Sequence, residues 1–465
     1  MSVSTKRVKA KGVERVRLDY SGCLKERVGS AGLGRGDIRL GCRAAAFAMR
    51  RLRQGLDAGQ YGFDAILDDR RMIAASVREG QRLARLADVL IVNGIGGSAL
   101  GPLALQSAMR PQKRRLIALD NVDPEGFAAK LAGLDPKRTA VDVITKSGST
   151  AETMANLLIL LKWMERALGP RHVHHWTATT DPKKGDLLVL ARRLGIPALA
   201  IPENVGGRFS VLTPVGLLPA AFLGLDVAAL VDGARLMRRH CWSAPPEKNV
   251  GVLGVVLLYL LATRRQRSIQ VLMPYADGLL QFADWYRQLW AESLGKRVDR
   301  RGRKVETGQT PVTSLGATDQ HSQVQLYMEG PQDKVVTFLE VERFRKEVAI
   351  PKAHADLASL GYLGGRSLGE LLAAEKRGTE IALTAAGRPN FTYRLPTINE
   401  HVLGQLIYLF EFQTAIAGEL YGINAFDQPG VEAGKVAAFA LMGRKGYEAK
   451  AAELRQAAHQ PRAVV

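Results

Sequence analysis

The sequence predicts an α/β protein with two parallel sheets flanked by helices, and three observations carry that prediction. Short β-rich runs alternate with helical patterns from about residue 85, glycine- and hydroxyl-rich segments fall just after three of those runs, and the pattern restarts after Asp226. Alternation of this kind implies right-handed βαβ crossovers, parallel strands and cover on both faces. The chain has 465 residues, which at roughly 150 residues per domain is too long for one core. The expected division is a helical N-terminal segment (1–60) packing on the larger domain, a first, smaller domain (61–225), a second, larger domain (226–443) and a tail (444–465).

In the first domain the strands are expected at 88–94 (DVLIVNG), 114–120 (RRLIALD), 139–145 (TAVDVIT), 173–179 (VHHWTAT) and 196–201 (IPALAI). Helical patterns begin at Ser98, Pro124, Thr150 and Lys183. The longest uncharged apolar runs, Val211 to Leu225 and Val250 to Thr263, fall short of the roughly 20 residues that span a bilayer and are expected as buried helices. After Asp226 come helices Ala228 to His240 and Val250 to Arg264, a strand at 268–276 and a helix from Leu279 to Leu294. Further strands at 335–342 and 391–396 lead into a long helix, Glu400 to Leu420, and beyond Gly443 an exposed helix rich in Ala, Lys and Glu is expected.

Hydrophobic residues at 46% and charged residues at 24% exclude disordered and collagen-like chains. Lys and Arg number 65 against 45 Asp and Glu, a net charge of +20 that attracts anions of any class. The densest basic cluster, Lys296, Arg297, Arg300, Arg301, Arg303 and Lys304, also holds Asp299 and Glu306, lacks aromatics for base stacking and reads as a solvated loop. Nucleic acid is therefore not an expected partner, nor is a membrane. Cys23, Cys42 and Cys241 lie far apart, so neither a disulfide framework nor a cysteine zinc site is expected. The basic N-terminus has no apolar core of a secretory signal, and the expected location is cytoplasmic.

The chemistry-bearing segments sit where a parallel sheet gathers its ligands, after strand ends. GIGGSALG (94–101) follows the first strand; its small residues admit a ligand to the backbone, and Ser98 with the helix N-terminus offers an anion site. TKSGSTAET (145–153) places Ser147, Ser149 and Thr150 at a strand end and helix start, with Thr153 one turn on and Lys146 beside them, a set suited to phosphate. The competing reading is a plain capping box between Ser149 and Glu152. ENVGGRFS (203–210) sets Arg208 on a loop after a glycine pair, where a guanidinium stabilises an oxyanion. WYRQLWAESLGK (285–296) puts Gln288 and Glu292 on one helix face, with Glu292 in the last turn, where the dipole disfavours the ionised form, as suits a general base. GATDQHS (316–322) carries His321, and QPGVEAGK (428–435) carries Gln428 and Lys435. His172, His174 and His175 lie in an apparent strand without a carboxylate or cysteine set, and are expected to divide between core and surface.

Taken in order, these six segments, from Gly94 to Lys435, resemble the successive signatures of the glucose-6-phosphate isomerase family. The resemblance implies two sugar-isomerase-type domains, a homodimer with a shared active site, no metal or cofactor, and the reversible, glycolytic and gluconeogenic conversion of glucose 6-phosphate to fructose 6-phosphate. It implies that Ser98, Ser147, Thr150 and Thr153 hold the phosphate beside Lys146. Glu292 would move a proton between C1 and C2 through an enediol, with Arg208 stabilising its charge. His321, reaching across from the other subunit, would open the ring together with Lys435, while Gly97, Gln288 and Gln428 line the site. Where the family often has Glu-Ser-Asn-Gly-Lys this chain has Leu294 in place of the Asn. Two rival functions stand beside this one: a nicotinamide-dependent oxidoreductase resting on GIGGSA and Asp120, and a non-catalytic sugar-phosphate-binding regulator.

Overall fold

The computed structural model describes residues 14–458. Its twelve strands are β1 (Arg17–Asp19), β2 (Val89–Asn93), β3 (Arg115–Leu119), β4 (Thr139–Thr145), β5 (Trp176–Thr180), β6 (Ala198–Ala200), β7 (Ile269–Pro274), β8 (Lys296–Val298), β9 (Lys304–Thr307), β10 (Thr310–Thr313), β11 (Lys334–Val341) and β12 (Asn390–Leu395). Strands β2 to β6 form one fully parallel sheet in the order β3-β2-β4-β5-β6. The second sheet runs β1-β12-β11-β7-β10, parallel except for the antiparallel edge strand β1. Strands β8 and β9 make a separate antiparallel hairpin.

Both faces of the first sheet are covered, which is why its strands read as near-continuous apolar runs. Leu90, Val92 and Ile144 pack with Leu83 and Phe222 on one face, while Ile91, Val141 and Val143 pack with Leu160 and Trp176 on the other. The run 211–225 forms the buried helix Pro214–Leu223, and the run from Val250 forms the buried helix Val250–Arg265. Helix Val227–Ser243 lies against Glu400–Tyr421 at two reciprocal glycines. A Cβ on Gly233 would strike the carbonyl of His401, and one on Gly404 the carbonyl of Leu230. The N-terminal segment joins the second sheet: β1 extends it, and helix Arg35–Asp57 packs on Val250–Arg265 and Glu400–Tyr421. The three cysteines are buried, and no helix among the described residues is long and apolar enough to cross a membrane.

Several expectations need correction. Residues 173–175 are not strand: His172, His174 and His175 end a 3₁₀ segment, Gly169–His175, and β5 starts at Trp176. His172 is buried, His174 exposed and His175 between. The helix expected from Lys183 begins at Asp186, and the one expected from Ser98 starts as a 3₁₀ turn, Gly96–Ser98, before Leu100–Met109. The basic cluster at 296–304 is solvated as expected at Arg297, Arg300, Arg301, Arg303 and Lys304, but it is not a loop: it forms the hairpin β8–β9. Its turn is held by Asp299, which accepts from the backbone of Arg301 and Arg303, and both Lys296 and Asp299 are buried.

Candidate active site

A doubly wound sheet leaves a crevice where its strand order reverses. In the first sheet that point lies between β2 and β4, and the loops leaving these two strands are Gly94–Ser98 and Lys146–Thr150. Gly97 rests on the backbone of Gly207, which a Cβ would strike, so the first loop touches the third, carrying Arg208 after β6. Lys146 ties the second loop to the same place, donating to the carbonyls of Glu203 (2.7 Å) and Val205 (2.9 Å). Burial lowers the pKa of this ammonium.

Around the second loop, hydroxyls gather. Thr145 Oγ1 lies 3.0 Å from Thr150 Oγ1 and 3.4 Å from Ser147 Oγ, which is itself 3.4 Å from the Ser149 hydroxyl. Thr150 is the N-cap of helix Ala151–Leu168 but makes no side-chain cap bond, and no capping box with Glu152 forms. The first-turn N–H groups therefore have no side-chain cap and, with the hydroxyls, present an anion-binding surface. Thr153 is buried, its hydroxyl unpartnered and its carbonyl accepting from Asn93 Nδ2 at 3.0 Å.

The second cluster centres on Arg208, only 4% exposed. Helix Leu280–Leu294 starts near the end of helix Leu100–Met109, with Gly278 against Ser107, and runs back so that Gln288 meets Gly96 and its last turn meets the arginine. Arg208 Nη1 sits 3.0 Å from Glu292 Oε1 and donates to Gln428 Oε1 at 2.9 Å. Nε donates to Ser293 Oγ (2.9 Å) and Nη2 to the carbonyls of Ala425 (3.0 Å) and Asp427 (3.2 Å). Gln288 Nε2 donates to the other carboxylate oxygen of Glu292 at 2.9 Å. Burial pulls the guanidinium pKa down and Glu292 opposes the fall. Behind it, Tyr61 stacks on Phe426 (3.8 Å between centroids) and Phe209 packs 4.9 Å from Phe426, clamping the 425–428 loop to the Arg208 loop.

The structure thus brings Gly97, Arg208, Gln288, Glu292 and Gln428 together, and Ser98, Lys146, Ser147, Thr150 and Thr153 along the adjoining loops. It does not bring in His321, exposed at the end of the 3₁₀ turn Thr318–His321, or Lys435, whose ammonium pairs with Glu432 at 2.9 Å. Sequence reading gave no role to Thr145, Ser293 or Lys296, although all three lie inside segments already singled out. Asp120, on which a nicotinamide site would depend, is paired with Lys130 at 3.0 Å. No group of three or more His, Cys, Asp or Glu residues among the described residues is placed to hold a metal ion.

The model of the phosphoglucose isomerase family matches residues 63–458, most of the chain. This chain belongs to the phosphoglucose isomerase family. Among its phosphoglucose isomerase relatives, the glucose-6-phosphate isomerase of Carboxydothermus hydrogenoformans is 43% identical over 463 residues, covering 97% of this chain and 99% of the relative. That of Rubrobacter xylanophilus is 46% identical, covering 83% and 90%. A crystal structure of a hypothetical protein from Thermus thermophilus superposes with a TM-score of 0.84 at 39% identity, covering 92% of this chain and all of that one. The fold is also that of a Chlamydia trachomatis glucose-6-phosphate isomerase (TM-score 0.73, 23% identity, covering 83% and 76%).

Proposed function

We infer that this chain catalyses the reversible isomerisation of glucose 6-phosphate and fructose 6-phosphate. The observation that carries the reading is the buried Arg208 bonded to Glu292 at 3.0 Å, beside a hydroxyl-lined helix N-terminus. A hydrogen on carbon next to a carbonyl is weakly acidic, so a carboxylate must remove it while a cation lowers the energy of the enediolate. Glu292 takes the proton from C2 and returns it to C1, and Arg208 faces the developing charge. Gln288 and Gln428 hold these two groups in register. Ser98, Ser147, Thr150 and the adjoining Thr145 bind the phosphate, whose fixed position sets the reacting carbons against Glu292. Lys146 braces the loop through the 203–205 carbonyls, Gly97 allows the loops their close approach, and the unpartnered hydroxyl of the buried Thr153 completes the phosphate set.

The same reading assigns ring opening to His321 and Lys435, with His321 supplied by a second copy in a homodimer, and places the enzyme in the cytoplasm in sugar-phosphate metabolism. It divides the chain at 61–225 and 226–443, with 1–60 and 444–465 as flanking segments. The exposure of His321, which forms no hydrogen bond or ion pair with the Arg208 cluster among the described residues, supports a subunit-crossing role.

Isomerisation of fructose 6-phosphate, read by coupled dehydrogenase detection of glucose 6-phosphate, tests the function. Glu292→Gln abolishes turnover while retaining binding of glucitol 6-phosphate, which has no carbonyl to react; wild-type turnover in that variant would remove Glu292 as the base. Mixing inactive Glu292→Gln and His321→Ala subunits restores activity if His321 crosses between subunits, since one of the two mixed sites is then intact.

A further inference from the structure

Lys296, two residues past the end of the helix that carries Glu292, lies in the hairpin β8–β9 whose neighbouring residues are largely exposed, yet it is itself only 8% exposed. Its ammonium turns inward and donates to the carbonyls of Glu292 (2.9 Å) and Ser293 (2.8 Å), and stands 3.8 Å from a carboxylate oxygen of Asp427. The backbone oxygens it caps are the negative end of the helix Leu280–Leu294, where partial charges sum to about half an elementary charge. A bare helix end at this place disfavours the carboxylate form of a last-turn glutamate.

The hairpin is anchored from its far side. Arg300, in the turn, pairs with the buried Glu419, and its backbone N–H donates to Gly422 at 3.0 Å. Glu419 also holds Arg51 at 2.8 Å. These contacts fix the turn to the end of helix Glu400–Tyr421 and so fix where Lys296 can reach. The charged groups around Glu292 are Arg208 from the loop after β6, 3.0 Å from its carboxylate, Lys296 from the hairpin, bonded to its backbone oxygen, and beyond Lys296 the Asp427 of the 425–428 loop. Asp284 and Arg287, earlier on its own helix, are paired with each other at 3.2 Å.

We propose that Lys296 is a positioning residue for Glu292: its ammonium neutralises the helix end behind that side chain and holds this end to the loop that carries Asp427 and Gln428. This rests on Glu292 being the base. Burial lowers the ammonium's own proton affinity, and Arg208 adds to the effect, while Asp427 and Glu292 oppose it. Lys296 touches the backbone behind the base rather than the reacting atoms, so its effect belongs in the pH dependence of catalysis.

The test is the pH profile of kcat/KM for fructose 6-phosphate, with glucitol 6-phosphate affinity measured alongside. Lys296→Met moves the acid limb upward by half a pH unit or more, so that kcat/KM falls by about threefold or more well below the limb and by progressively less above it, leaving glucitol 6-phosphate binding within twofold. Lys296→Arg, which keeps a cation, retains the wild-type limb. If the Met variant does not purify folded, Lys296→Gln, a neutral donor, gives the same upward shift. A loss of rate that is equal at every pH, or an unmoved limb in the neutral variant that folds, overturns the proposal. Glu292→Gln separates the two levels: wild-type turnover there sinks the base assignment, whereas an inactive Glu292→Gln with an unmoved limb in Lys296→Met sinks only the role of Lys296.

Discussion

At the scale of single residues, Arg208 shows why a guanidinium occupies the site. Its three nitrogens serve five partners in different directions: a carboxylate, a hydroxyl, an amide oxygen and two backbone carbonyls. An ammonium is a point charge and cannot span that set. Arg208→Lys is therefore expected to lower kcat by about a hundredfold or more, the usual cost of losing one oxyanion donor, and to lower the thermal midpoint as the 425–428 loop loses its anchor. Steady-state kinetics and a thermal melt on the same preparation check both. Glu292, Gln288 and Arg208 stood out in the sequence through the resemblance of their segments to one family, because helical spacing alone reads more readily as a solvated glutamate. Lys296 did not, since a cluster of six basic residues carries no sign of which one turns inward. That decision is made by the turn at Asp299 and by Glu419, more than a hundred residues away in sequence.

Elements give a sharper test of packing. Gly404 and Gly233 sit where two long helices cross with almost no space for a side chain, whereas Gly378, in the helix Leu368–Ala385, has nothing within 4 Å of where a Cβ would be. Gly404→Ala is expected to cost about 1–3 kcal/mol from overpacking, and Gly378→Ala to gain up to about 1 kcal/mol from helix propensity. Urea titrations read the two opposite signs. The same contrast explains which elements could be read in advance. The strands of the first sheet are short β-rich runs bounded by loops, and the helices between them imply that they run parallel. Strand β10 is four residues, contains Pro311 and forms a sheet edge, so it has neither length nor alternation to reveal it. Strand β1 takes its conformation from pairing with β12, and the stretch 173–175 has strand composition but is drawn into the 3₁₀ segment after helix Ala151–Leu168.

For the whole molecule, two buried carboxyls bend the stability curve in opposite directions. Burial alone would raise the pKa of Glu419, but bonds to Arg300 and Arg51 hold it below its ordinary value of 4.5. A depressed folded value means stability that is present above 4.5 and is lost as pH falls through the lowered value. Glu411, fully buried with neither oxygen bonded, is pushed well above 4.5 by burial, so stability is greatest below 4.5 and declines as pH rises beyond it. Thermal midpoints across pH should therefore separate two variants. Glu419→Gln lowers the midpoint at pH 7 and converges on the wild type in acid; Glu411→Met raises it at pH 7, by the equivalent of about 1 kcal/mol or more, and gains less in acid. The buried cysteines have a practical consequence at this scale. Burial raises the thiols, Cys42 to about 11 and Cys23 and Cys241 further, so a maleimide or disulfide reagent finds little thiolate until the surrounding structure opens. The rate of thiol labelling is thus a built-in clock for the opening of the large shared core around these cysteines, to which Phe63, Ala104 and Phe209 contribute alongside the helices of the second sheet.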